Sequence, residues 1–237
     1  MDWITARPIA HRGLHRGQTV PENSLRAFEH AIAQGYPIEM DIQLLADGEL
    51  AVFHDKTLTR LTGQPGTINA QTLTSLKQYH LYQTDQTIPS LAEALDLIQG
   101  QVPVLIEIKN EGRVGALEHA LLKTLSHYQG EFAVQSFNPL SLQWFKHHAP
   151  HIRRGQLSSG MGWDPAPWHL AMAHSNLLFN WASQPHFIAY DLRSLPKLST
   201  TVAKCAFHLP LITWTVRNPS DQAKAQHCAD NYIFDPF

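Results

Sequence analysis

The chain has 237 residues, 43% of them hydrophobic and 16% charged, and a formal net charge of −2 with histidines neutral. Such a composition supports a sizeable core and argues against disorder, and its near-neutral balance gives no electrostatic case for a nucleic-acid or anionic-membrane partner. The two cysteines, Cys205 and Cys228, have neither zinc-site nor disulfide-framework spacing.

The first residues, MDWITARPIAHRG, contain no basic leader and no continuous apolar stretch, and no run of about 18 apolar residues occurs anywhere. A cytoplasmic protein without stable membrane association is therefore expected. Eight short apolar runs then read as strands in chain order: PIAH (8–11), IEMDIQ (38–43), LAVFH (50–54), VPVLIEIK (102–109), EFAVQSF (131–137), RRGQLS (153–158), FIAYDL (187–192) and PLITWTV (210–216). Several are too uniformly apolar to face water on one side, as expected of parallel strands covered by helices.

The segments between them carry helix signals. In ENSLRAFEHAIAQG, Leu25, Phe28 and Ile32 share one face, Asn23 or Ser24 caps the start and Gly35 marks the stop. SLAEALDLIQG pairs Ser90 with Glu93 as a capping box and places Leu91, Ala94, Leu95 and Ile98 on one apolar face, with Gly100 just past the end. Asn138-Pro139 and Asn218-Pro219 each read as a cap followed by a proline in the first turn.

Strands alternating with helices predict a (β/α)8 TIM-type barrel, a single domain over residues 1–237, and no glycine-rich phosphate loop follows the first strand as an open doubly wound sheet would require. The LADGEL turn (45–50) is too short for a crossover helix, so the barrel is expected to be irregular there. Residues 56–90 and 159–185 are weakly patterned and read as loops or short helices, with only a small insertion after the third strand.

Against this apolar background the charged residues stand out. Strand side chains alternate faces, so Glu39 and Asp41 point one way and Ile38, Met40 and Ile42 the other, and Glu107 and Lys109 repeat the pattern. With His11 and Arg12 ending the first strand and His54 the third, four consecutive strands would deliver titratable groups to the carboxyl-terminal rim where barrel active sites form. Buried carboxylates are costly unless paired, protonated or bound to a cation. Ion pairs such as Lys109–Glu107 or Arg12–Asp41 would suffice to close a barrel, but such a network needs no histidines beside it. The all-oxygen set Glu39, Asp41 and Glu107 suits one hard divalent cation, Mg2+ or Ca2+. A cation of that kind with Arg12 and Lys109 suits a phosphate, and His11 and His54 could divide the proton transfers. His15 and His30 read as structural, and His147, His148 and His151 as surface residues.

The motifs IAHRG (9–13), PENSLRAF (21–28), IEMDIQLLADGELAVFHD (38–55) and LIEIK (105–109), followed by QSFN (135–138), WTVR (214–217) and the terminal YIFDPF, resemble the glycerophosphodiester phosphodiesterase family. The resemblance spans essentially the whole chain and implies metal-dependent hydrolysis of a small-molecule glycerophosphodiester to glycerol 3-phosphate and an alcohol. It implies His11 and His54 as the acid–base pair, Glu39, Asp41 and Glu107 as metal ligands, Arg12 and Lys109 as phosphate contacts, and Trp214 at the mouth near the glycerol. Arg217 follows WTV where the family usually has asparagine, and FDPF replaces a Thr-Asp-Arg-Pro-like ending, changes that bear on alcohol specificity and leave the chemistry untouched. A lysophospholipase D-like activity, which expects an exposed apolar groove near residues 56–90, and a non-catalytic binder of phosphorylated metabolites are the alternatives.

Overall fold

The computed structural model describes residues 2–110, 112–160 and 167–237, and the chain divides into two compact units. One unit holds Ile9–Phe132. Its strands are β1 (Ile9–Ala10), β2 (Ile38–Leu44), β3 (Leu50–Val52) and β4 (Val104–Ile108). β1 and β4 both pair in parallel with β2, whereas β3 runs antiparallel to it, with Ile42 opposite Val52 and Leu44 opposite Leu50.

The LAVFH run is therefore not a third parallel strand. Four residues, Ala46–Glu49, are exposed at the turn, where the amide of Gly48 (φ +86°) donates to the carbonyl of Leu45 and the amide of Leu45 donates to the carbonyl of Glu49, closing the turn. So short a connection permits only a hairpin, because a parallel partner needs a crossover.

The predicted helices form where their caps stand. Leu25–Ala33 starts at Ser24, whose hydroxyl accepts from the Ala27 amide. Ala27, Phe28 and Ala31 make its buried face, while Leu25 and Ile32 are only half-buried. Leu91–Ile98 has the Ser90/Glu93 capping box and buries Leu91, Ala94, Leu95 and Ile98, as its spacing predicted. Residues 56–90 contain only one-turn helical pieces. Their apolar residues nonetheless collect inward: Leu58, Leu61, Ile68, Leu76, Leu81 and Ile88 cluster with Leu45, Ala51 and Phe53.

The other unit holds residues 2–8 and Ala133–Asp235. Its strands β5 (Phe132–Ser136), β6 (Arg154–Ser158), β7 (Phe187–Asp191), β8 (Leu211–Val216) and β9 (Asn231–Phe234) pair in parallel in that order. β9 is the parallel strand that the sequence reading left uncounted. It is buried only at Asn231–Ile233. Asn231 donates to the carbonyls of Ile4 and Arg7, which ties the strand to the first helix of the same unit. The helices 139–148 and 219–228 begin at Asn138 and Asn218 with proline in the first turn, as expected. The reading of 159–185 as irregular falls partly on 161–166, outside the described residues. Residues 168–175 and 180–183 within it are short helices. No helix among the described residues is long and apolar enough to cross a membrane.

Gly13 shows how tightly the first loop is seated. Its φ is +80°, and a Cβ there would sit 2.8 Å from the carbonyl carbon and oxygen of Ala27. Gly13→Ala thus combines a left-handed backbone with a clash against main chain, and about 2–4 kcal/mol of stability should be lost. Gly48→Ala shares the positive φ but meets nothing within 4 Å, so it should cost about 1 kcal/mol. Urea unfolding of the two variants measures the difference.

Candidate active site

Seven of the eight singled-out residues lie in the unit Ile9–Phe132. The parallel register sets Asp41 directly opposite Glu107, and Glu39 lies two residues before Asp41 on the same strand face. Oxygens of Glu39, Asp41 and Glu107 come within 4.8 Å of one another, and Asp41 is fully buried.

Positive groups surround Asp41. Lys109 Nζ lies 3.1 Å from Asp41 Oδ1 and 2.5 Å from Glu107 Oε1. Arg12 Nε is 3.2 Å from Asp41 Oδ2, and the Asn23 amide donates to the same oxygen at 2.8 Å. Both ion pairs that would close a barrel are therefore present. Arg12 and Asn23 have φ values of +54° and +55°, left-handed conformations that disfavour side chains with a Cβ. At Arg12 this geometry aims the backbone N–H at Glu39 Oε2, 3.0 Å away.

The two neighbouring carboxylates respond oppositely. Burial pushes Glu39 well above the usual carboxylate range, and the charges of Asp41 and Glu107 push it the same way. Burial would raise Asp41 too, but Lys109 and Arg12 outweigh it and hold the group well below its ordinary value. His54 and His11 contribute to that lowering, which places both imidazoles near the carboxylate. Lys109 is held above its ordinary value, because Asp41 and Glu107 override the effect of its burial.

His54 reaches this level through the hairpin rather than from a parallel strand end. The amide of Phe53 donates to the Asp41 carbonyl, and the Gln43 side-chain amide donates to the carbonyls of Phe53, His54 and Asp55. His54 Nδ1 meets Asp55 Oδ1 at 2.8 Å. With Nδ1–H donating to that carboxylate, Nε2 is the nitrogen left to exchange a proton.

A further arginine extends the array. Arg60 binds Asp55 through Nε at 2.6 Å and Nη2 at 2.9 Å, and it binds both oxygens of Glu22. Glu22 in turn accepts from Arg12 Nη1 at 2.5 Å. The chain of contacts Arg12–Glu22–Arg60–Asp55–His54 links the first-strand arginine to the hairpin histidine. Gln43, Glu22, Asp55 and Arg60 were not singled out in the sequence. Asp55 carried a readable signal, a carboxylate directly after a strand-end histidine. Glu22 lay in a stretch assigned to capping, and Arg60 lies in the weakly patterned segment.

Trp214 lies on β8 in the other unit, where it packs edge-on against Phe137 with ring centroids 5.6 Å apart.

The acidic set fits a cation. Oxygen-only donors suit a hard dication, and Lys109 is a single positive charge shared by Asp41 Oδ1 and Glu107 Oε1. The buried triad Glu39, Asp41 and Glu107 could thus hold a metal ion.

Residues 11–233 match the model of the glycerophosphoryl diester phosphodiesterase family. A glycerophosphodiester phosphodiesterase of Caldanaerobacter subterraneus subsp. tengcongensis is 34% identical over 177 residues, 69% of this chain and 70% of that protein. One from Bacillus altitudinis is 37% identical over 162 residues, 63% of this chain and 65% of its own length. The structure of an Oleispira antarctica phosphodiesterase in complex with the product sn-glycerol-3-phosphate matches at a TM-score of 0.80 and 27% identity, covering 97% of this chain and 92% of that one. The likeness gives the fold, an eight-stranded parallel barrel with interleaved helices.

Glu22 offers a test of the network. Burial alone would raise its pKa, but the hydrogen bonds from Arg60 and the charge of Arg12 take it from 4.5 to about 2. A depressed carboxylate stabilises the fold above its unfolded value and loses that contribution as pH falls through the folded one. Glu22→Gln should therefore lower stability at pH 7 by about 2–3 kcal/mol and flatten the loss between about pH 4.5 and 2, measured by urea unfolding across that range.

Proposed function

The chain belongs to the glycerophosphoryl diester phosphodiesterase family, and from that premise we propose that it hydrolyses glycerophosphodiesters to glycerol 3-phosphate and an alcohol with the help of a divalent cation. The observation that carries this reading is the convergence of three carboxylates, two cations and two histidines around buried Asp41. The product bound in the related Oleispira antarctica phosphodiesterase supports the substrate class.

In this reading Glu39, Asp41 and Glu107 hold one Mg2+ or Ca2+. When bound, such an ion supplies Lewis-acid stabilisation of the phosphoryl oxygens. Arg12 and Lys109 face the same phosphate and offset the charge that grows on it towards the transition state. Each already serves a carboxylate, which fixes its side chain before substrate arrives. His11 and His54 divide the proton work, one taking the proton of the attacking oxygen and the other giving one to the leaving alcohol. Asp55 holds the His54 ring so that Nε2 faces the exchange, and Arg60 and Glu22 keep Asp55 and Arg12 in place. Trp214 remains the proposed contact for the glycerol.

The lysophospholipid alternative finds less support. Apolar residues of 56–90 are turned into a core cluster. A binder without turnover would have no use for a carboxylate-oriented histidine.

His11→Ala and His54→Ala should each lower kcat about 10²–10⁴-fold while leaving divalent-cation binding in place. Near-normal turnover of either variant in a coupled glycerol 3-phosphate assay would remove that histidine from the chemistry. Asp41→Asn or Glu107→Gln should weaken Mg2+ or Ca2+ binding in calorimetry and activity together, and chelation should abolish wild-type turnover until the cation is restored. Full hydrolysis after exhaustive chelation would refute the metal-dependent reading.

A further inference from the structure

The unit Ala133–Asp235 carries a groove of about 790 Å³ lined by the short helix Asn180–Ser183, the helix Leu198–Phe207 and the segments beside them. Its walls are apolar and stand in solvent: Trp181 is 80% exposed, Leu198 79%, Phe207 69% and Leu178 57%. No charged side chain occurs among its described lining residues.

The helix Leu198–Phe207 inverts the usual arrangement. An amphipathic helix normally turns its large apolar side chains to the core and its polar ones to water. Here the buried residues are Thr200 and Ala203, and the Thr200 hydroxyl is satisfied by donating to the Lys197 carbonyl at 2.8 Å. Leu198 and Val202, one turn apart, are exposed, as is Phe207 at the helix end. Ala203 joins Leu177, Ile188, Tyr190, Leu195 and Leu211 in the cluster beneath. Packing within the unit therefore uses the small side of this helix and leaves the large apolar side uncovered.

Area and charge identify what covers it. Monomers rarely leave a contiguous apolar patch of more than a few hundred Å² open to water. Trp181 and Phe207 together would bury on the order of 300 Å², and Leu178, Leu198 and Val202 bring the total to about 500 Å² per copy. A stable homodimer takes about 800 Å² per partner, roughly two-thirds of it apolar, which is the same quantity. The lysines that flank the patch are already engaged: Lys146 donates to the Ala182 carbonyl at 3.2 Å, Lys197 to the Tyr190 hydroxyl at 3.0 Å, and Lys204 pairs with Asp230 at 2.7 Å. With a net charge of −2 on the chain, the face has no basic fringe to offer an anionic lipid surface, and a charged peptide would find no counter-charge in the groove. A second copy brings a face equally free of charge, so the two meet without like-charge opposition.

We propose that this face is a self-association surface, through which two copies of the chain meet about a two-fold axis with Trp181 as the anchor of the contact. A two-fold contact sets the same patch against itself, and a tryptophan bordering an apolar groove is the residue type that dominates such interfaces.

Sedimentation velocity on the whole chain tests this between about 1 and 100 μM, the weak end of the range for interfaces of this size. The wild type should sediment at twice the monomer mass over most of that range. Trp181→Ala should weaken association about 30-fold or more, the loss typical of an interfacial hot spot. Leu198→Glu/Phe207→Glu places carboxylates of both copies in the contact and should leave a monomer. The substituted side chains are exposed, so both variants should keep the wild-type far-ultraviolet circular dichroism spectrum. A wild type that stays monomeric at the highest concentration overturns the proposal, as does a dimer that survives both variants. Phosphatidylcholine vesicles test the lipid alternative: wild-type binding to them that Leu198→Glu/Phe207→Glu abolishes, with no dimer in solution, would assign the face to a lipid surface and overturn self-association.

Discussion

Everything at the site is arranged around one fully buried carboxylate, that of Asp41. An isolated charge in that position would be prohibitively costly, and removing one partner from a buried pair typically costs about 3–5 kcal/mol. Lys109 from the end of β4, Arg12 from the loop after β1 and Asn23 ahead of the first long helix all converge on it. Two of the three residues accept left-handed backbone conformations to do so. Local strain is thus set against an electrostatic requirement, the pattern expected where function overrules conformational preference.

Glu39 clarifies what that requirement is. It stands two residues from Asp41, on the same face and equally hidden from water, yet burial and its acidic neighbours drive it towards the neutral form. Lys109 is shared between Asp41 and Glu107 and Arg12 between Asp41 and Glu22, and among the described residues Glu39 receives a backbone N–H alone. Without a further positive charge the acidic set cannot all be ionised comfortably. A dication held among these carboxylates would supply that charge, and the same deficit would become affinity for the ion. The interaction that organises the fold locally therefore also prepares it for phosphate chemistry.

Much of this was readable from residues alone, for physical reasons that differ by position. The alternation in IEMDIQ and LIEIK placed Glu39, Asp41, Glu107 and Lys109 on shared faces, since period-two geometry leaves little freedom. Capping at Ser24, Ser90, Asn138 and Asn218 was legible because a helix start needs a local acceptor. The direction of β3 was not drawn from its apolar content, which is compatible with either orientation. The brevity of LADGEL held the answer. β9 was missed because its burial comes from neighbouring strands and from Asn231 reaching back to Ile4 and Arg7, a contact separated by most of the chain. Arg60 was invisible for a similar reason. Its role depends on bridging Glu22 and Asp55, and nothing in the surrounding TLTRLTG marks it.

The antiparallel return of β3 has a bearing on how this scaffold can vary. Because Ile42–Val52 pairing and the three bonds from Gln43 hold the residues at 53–55, the location of the imidazole at 54 is decoupled from the length of the exposed tip at 46–49. Extra residues added at that tip would lengthen a surface excursion and leave the ladder in register. The scaffold can therefore acquire new peripheral sequence next to a reactive group without disturbing it, which makes this tip a natural point of divergence and of engineered grafting.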